Sequence, residues 1–176
     1  MKESSTRDAT RGRPDLAAAS AVMVPLRSAL AQLAAVVDAL DDEQYTRKGP
    51  AGFNASVGGH VRHCLDHVSA LLAGVETGLV DYETRERGGA IETRRSDAVA
   101  LMHDLDVKLE RHIKIGPEHP VATVVMLAPE QAPLKSGSTF GRECGFVLSH
   151  TIHHSAMIGA MVREMGVDVP EHFGYA

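Results

Sequence analysis

Six of the ten histidines in this 176-residue chain fall into two tight clusters. The first is Ser56-Val-Gly-Gly-His60-Val-Arg-His63-Cys-Leu-Asp-His67, and the second is Ser149-His150-Thr-Ile-His153-His154. Neutral imidazole is the commonest protein ligand for a transition metal, so two converging clusters point to a divalent metal site. On a helix His150 and His154 stand one turn apart on the same face, and two nitrogens so placed can meet one ion at ~2.0–2.1 Å each. A third ligand must come from the other cluster. His60, His63 and His67 are spaced by three and four, share one helical face and are all candidates. Three histidines leave coordination positions open to water or substrate, which is the catalytic arrangement; a structural zinc site is normally closed by four protein ligands. An ion held this way acts as a Lewis acid and activates water near neutral pH.

Two familiar metal motifs are excluded by residue type. A zincin needs Glu directly after the first histidine of the pair, where Thr151 stands. A di-iron bundle needs Glu-x-x-His on paired helices, and neither histidine segment has it. The competing reading is a hydrogen-bonded core or a solvent-exposed His60–His67 face. Clustering argues against the core version, because stacked imidazoles repel when protonated and cost desolvation in any state unless paired.

The elements that must position these residues follow from apolar spacing. Leu26, Leu30, Leu33, Val37 and Leu40 mark a first helix with Pro25 near its start. The second opens at Ser56, an N-cap residue, and stops at Gly78, with Val61, Leu65, Val68, Leu72 and Val75 as its stripe. Gly58 and Gly59 weaken its first turn by ~1 kcal/mol each relative to alanine, which implies close approach of another backbone or a ligand. A third helix runs from about Thr93 to Lys114. A fourth starts at Ser138 or Thr139 and runs to about Met165, with Gly166 as its stop signal. Residues 44–54 and 79–92 read as connections. The Pro-rich stretch 116–139 contains the β-prone run Val121-Ala-Thr-Val-Val-Met-Leu127 and predicts a short β-hairpin before the last helix. The fold class expected is all-α, a four-helix bundle with a non-helical insert, built on residues 16–176 behind a disordered tail of residues 1–15.

Composition narrows the function classes. Hydrophobic content of 44% with 23% charge suits one globular domain, and a net charge of −5 gives no electrostatic footprint for nucleic acid. No window approaches the ~18 apolar residues of a membrane span. Cys64 and Cys144 lie far apart without a Cys-x-x-Cys, so they read as buried reduced thiols of a cytoplasmic protein.

The two histidine elements resemble those of the DinB/YfiT-like superfamily of metal-binding four-helix proteins. Ser56-Val-Gly-Gly-His-Val-Arg-His63 is similar to the family's element on the second helix, and His150-Thr-Ile-His-His154 to its paired histidines on the fourth. The resemblance spans residues from about 22 to 165. It implies His63, His150 and His154 as ligands of one zinc or nickel ion, an up-down-down-up bundle and a homodimer. It also implies thiol-dependent transfer or isomerisation with a small thiol cosubstrate on an unknown small molecule, and a Lewis-acidic ion adds hydrolysis as the other reaction expected of the site. After the pair, Ser155-Ala-Met157 stands where relatives commonly have Arg-Gly-Gln. His60, His67 and His153 lie one turn or less from these ligands and are candidates to replace one, to hydrogen-bond to one or to act as acid or base; on this reading His67 or His153 moves a proton. Arg62 and Asp66 read as a solvated face, and Tyr82, Arg85 and Arg87 as a solvated loop with anion binding as the competing role. The alternative function is a non-catalytic metal-binding or stress-related bundle.

Overall fold

The computed structural model describes residues 16–49, 55–84 and 89–175. The expected tail, residues 1–15, lies outside them. Six helices and three strands follow one another as α1 (Leu16–Asp38), α2 (Asp42–Thr46), α3 (Val57–Thr77), β1 (Leu79–Asp81), α4 (Ala90–Thr93), α5 (Arg95–Arg111), β2 (Pro120–Val125), β3 (Leu134–Thr139) and α6 (Phe140–Glu164).

The four long helices close around one core. Helix α1 packs on α5 and α6, and α3 packs on the same two. Their inward stripes meet as a continuous apolar cluster that includes Leu26, Leu30 and Leu33 of α1 with Leu65, Val68 and Leu71 of α3, together with Met102 and Leu109 of α5 and Val147 and Ile158 of α6. Burying such side chains contributes ~1.5–3 kcal/mol each relative to exposure, which is what holds the helices against one another. A two-pronged ion pair from Arg27 to Asp106, at 2.6 and 3.0 Å, ties α1 to α5 near the surface.

Three features depart from the expected architecture. Pro25 lies inside α1 rather than at its start, because the Ala-rich run from Leu16 is itself helical. The expected connections 44–54 and 79–92 hold regular elements among their described residues. Helix α2 begins within a reciprocal cap in which the Asp41 carboxylate accepts from the Gln44 amide and Gln44 Oε1 accepts from the Asp41 amide. Strand β1 pairs in parallel with β2, Val80 opposite Thr123. The third departure follows from that pairing: the chain is mostly helical but not all-α, since the expected hairpin of β2 and β3 is joined by β1 into a three-stranded sheet of order β1-β2-β3.

The sheet matters because it fixes the histidine helices at their ends. Gly78 closes α3 in the left-handed region at φ 76°, turning the chain straight into β1. The return is tight: a Cβ on Gly74 would stand 2.3 Å from Val80 Cγ2. At the other edge β3 runs directly into α6, whose first turn is capped by the Thr139 hydroxyl accepting from the Arg142 amide.

Candidate metal centre

Helix α3 carries His60, His63 and His67, and α6 carries His150, His153 and His154. The N-terminal turn of α3 is fixed by the Ser56 hydroxyl, which accepts from the Gly59 amide at 3.0 Å. Gly58 lies against the Glu92 carbonyl so closely that a Cβ would stand 2.1 Å from its oxygen. This is the close backbone approach expected at Gly58, and it seats the histidine end of α3 against α4.

The two clusters converge. One nitrogen each from His63, His150 and His154 lies within 4.8 Å of the others, and His63 Nε2 is 2.9 Å from His150 Nε2. All three side chains are partly exposed, so the cluster opens to solvent at the rim between α3 and α6. His60 and His67 are buried, which removes the exposed-face reading of the first cluster. His60 places Nδ1 3.0 Å from His154 Nδ1. His67 places Nδ1 2.9 Å from the His63 carbonyl oxygen. A carbonyl only accepts, so His67 Nδ1 carries a proton, and when the ring is neutral its lone pair is on Nε2. His67 also stacks on His150 at 4.1 Å between centroids. His153 is exposed and touches the group through His154, 5.4 Å away.

Electrostatics favour lone pairs over protons here. Burial, reinforced by His150, His60, His153 and His67, lowers His154 to about 3, and burial also lowers His60. Imidazoles that resist protonation, as His154 and His60 do, are the donor chemistry that suits a divalent transition ion. The cysteines supply nothing to it, since burial pushes the Cys64 and Cys144 thiols up to about 12.

Around this cluster stands a shell that sequence reasoning only partly located. Tyr82 is not in a solvated loop: it is buried, stacked on His67 at 5.2 Å, and donates to Glu143 at 2.8 Å. Arg85 and Arg87 lie outside the described residues. Glu143 was missed entirely. It is fully buried in the first turn of α6 and also accepts from Ser138 and from Arg142, the latter at 2.7 Å. Its only signal in the sequence is an acid near a helix N-terminus, where the helix dipole favours negative charge. Arg142 in turn lies 5.3 Å over the Phe146 ring. Arg62 and Asp66 are corrected as well: they pair at 2.5 Å, and Arg62 reaches Glu92 at 3.1 Å, so this face is packed rather than freely solvated.

A mostly helical chain that gathers imidazoles from two of its long helices defines a histidine-cluster helical bundle. The model of one family of such size and pattern, the DinB superfamily, matches residues 26–158, and the chain belongs to that superfamily. Among solved structures, a DinB-like protein (YjoA) from Bacillus subtilis superposes with a TM-score of 0.57. That likeness covers 87% of this chain and 98% of that one at 15% identity, so it speaks to the fold. A curated relative, FK506-binding protein 5 of Rhizopus delemar, is 32% identical over 99 residues, which is 56% of this chain and 26% of the relative. The chain thus matches about a quarter of that protein's length. Among the described residues no helix is long and apolar enough to cross a membrane.

Proposed function

We propose that this chain is a mononuclear metalloenzyme in which His63, His150 and His154 hold one divalent ion, zinc or nickel. The observation that carries the reading is the convergence of three imidazole nitrogens within 4.8 Å from two helices at a partly exposed rim. A divalent ion there supplies Lewis acidity toward water or a thiol. The chain's own groups do the rest. His67, with Nδ1 tied to the His63 carbonyl, offers Nε2 as a proton acceptor beside the cluster. Tyr82 and His150 hold that ring between them by stacking, and Glu143 anchors Tyr82. His153, exposed beside His154, passes protons to solvent.

The reaction class is hydrolysis or transfer to a small thiol cosubstrate on an unidentified small molecule. The absence of a reachable thiolate on the chain, with both cysteines buried, supports an external thiol or water as nucleophile. An up-down-down-up order of α1, α3, α5 and α6, assembly as a homodimer and a cytoplasmic location belong to the same reading.

Elemental analysis of tag-free protein tests this. The expected result is about one equivalent of a divalent transition metal, lost in His63→Ala and in His154→Ala, which then justifies screening thiols and hydrolysable substrates. Failure to retain any ion after loading with zinc, nickel and manganese overturns the reading and leaves a polar seam in a helical bundle.

A further inference from the structure

We infer that His60 is a positioning residue: it accepts a hydrogen bond from His154 and keeps that ring in the tautomer whose Nε2 lone pair is available to an ion. The inference rests on the metal reading above. His60 sits in the first turn of α3, only 7% exposed, with its amide bonded to the Ser56 carbonyl at 3.1 Å. Its Nδ1 faces His154 Nδ1 at 3.0 Å, the rings 5.2 Å apart and tilted by 42°.

Two neutral imidazoles meeting nitrogen to nitrogen share one proton, and there are two ways to place it. If His60 donates, the His154 proton must sit on Nε2, and that ring has no lone pair left for a ligand. If His154 donates from Nδ1, its Nε2 is a lone pair and His60 carries its proton on Nε2. Only the second arrangement is compatible with His154 as a ligand. Histidines that bind metals nearly always donate their other ring N–H to an acceptor, which fixes tautomer and orientation. Here the acceptor is another imidazole. His67 uses a backbone carbonyl for its own Nδ1 in the same way.

The other end of His60 explains why the residue needs a reason. Its Nε2 is sealed from solvent and has no hydrogen-bond partner among the described residues. A leucine would fill the same volume without burying an unsatisfied polar atom, a burden that costs stability in either tautomer. What the imidazole adds is therefore at Nδ1, against His154.

Two measurements test the assignment. Long-range 1H–15N correlation on metal-free wild-type protein at pH 7.5 reports the His154 tautomer directly. A proton on Nδ1 is expected, and a proton on Nε2 overturns the inference. Zinc affinity by competition with a chelating dye is then compared for wild type, His60→Leu and His60→Asn. Leucine removes the acceptor, while the asparagine amide oxygen falls close to the position of Nδ1. His60→Leu should weaken zinc binding about 10–100-fold with one-to-one stoichiometry kept, and His60→Asn should recover most of that loss. An unchanged leucine variant overturns the inference, as does an asparagine variant that falls as far as leucine, which would make His60 a ligand itself. Wild-type protein that binds no zinc overturns the metal reading instead, and the tautomer spectrum still decides the His60–His154 hydrogen bond.

Discussion

Acidifying the metal-free protein should weaken the bundle through His154, and by a calculable amount. Burial and the surrounding imidazoles bring this side chain to about 3 in the folded chain, against ~6.5 when unfolded. Below pH 6.5 the unfolded chain therefore binds a proton that the folded one refuses. The sign follows: the stabilisation is complete above pH 6.5 and is lost as pH falls toward 3, with a slope of up to ~1.4 kcal/mol per pH unit. Between pH 7.5 and 5.0 the loss amounts to about 2 kcal/mol, or roughly 4–8 °C in Tm for a chain of this length. Urea unfolding followed by circular dichroism, with EDTA present throughout, measures it. Wild type and His154→Leu are compared at both pH values, and the wild-type advantage should shrink by about 2 kcal/mol on going to pH 5.0. A difference between the two proteins that stays within ~0.5 kcal/mol across the range refutes the argument, because additivity alone allows that much scatter.

Opposite shifts are expected for two glycines. Gly58→Ala drives a methyl into the Glu92 carbonyl, and overpacking of ~1–3 kcal/mol outweighs the ~1 kcal/mol gained in helix propensity. Gly145→Ala, exposed on α6 with nothing within 4 Å, should gain ~0.5–1 kcal/mol; urea midpoints moving the same way would contradict one of the two. Tyr82→Phe leaves the buried Glu143 carboxylate one donor short and should cost ~1–3 kcal/mol in the same assay. The two buried thiols should resist a disulfide reagent at pH 8 in folded protein and react in full in guanidinium, and fast labelling of the native chain would count against their burial.

Much of the site was legible because its signals are local. Spacings of three and four place histidines on one helical face wherever the helix occurs, and Ser56, Gly78, Thr139 and Gly166 delimit α3 and α6 through backbone chemistry that needs no tertiary partner. What stayed hidden depends on pieces distant in sequence. Strand β1 is three residues long and exists because β2, some forty positions on, supplies its hydrogen bonds. The burial of Tyr82 and Glu143 requires β1 and the start of α6 to meet, which no window of sequence contains. Arg62 and Asp66 are an ordinary surface pair until Glu92 of α4 arrives beside them. The cap of α2, Asp41 with Gln44, was readable and was passed over because a five-residue helix yields too few apolar positions to register a period.

The parallel pairing of β1 with β2 also has a kinetic meaning. His63 and His150 are 87 positions apart, and the strands that bring their helices together must first close a loop holding all of α4 and α5. Non-local pairing of that kind is slow, because chain entropy is lost before the contacts that compensate it are made. The contacts between α3 and α6, His63 with His150 among them, are therefore expected to form later than the helices themselves. Interactions formed that late act on the rate of unfolding and hardly on the rate of folding. An ion captured at the rim between α3 and α6 would then work as a latch, lengthening the lifetime of a bundle that has already formed.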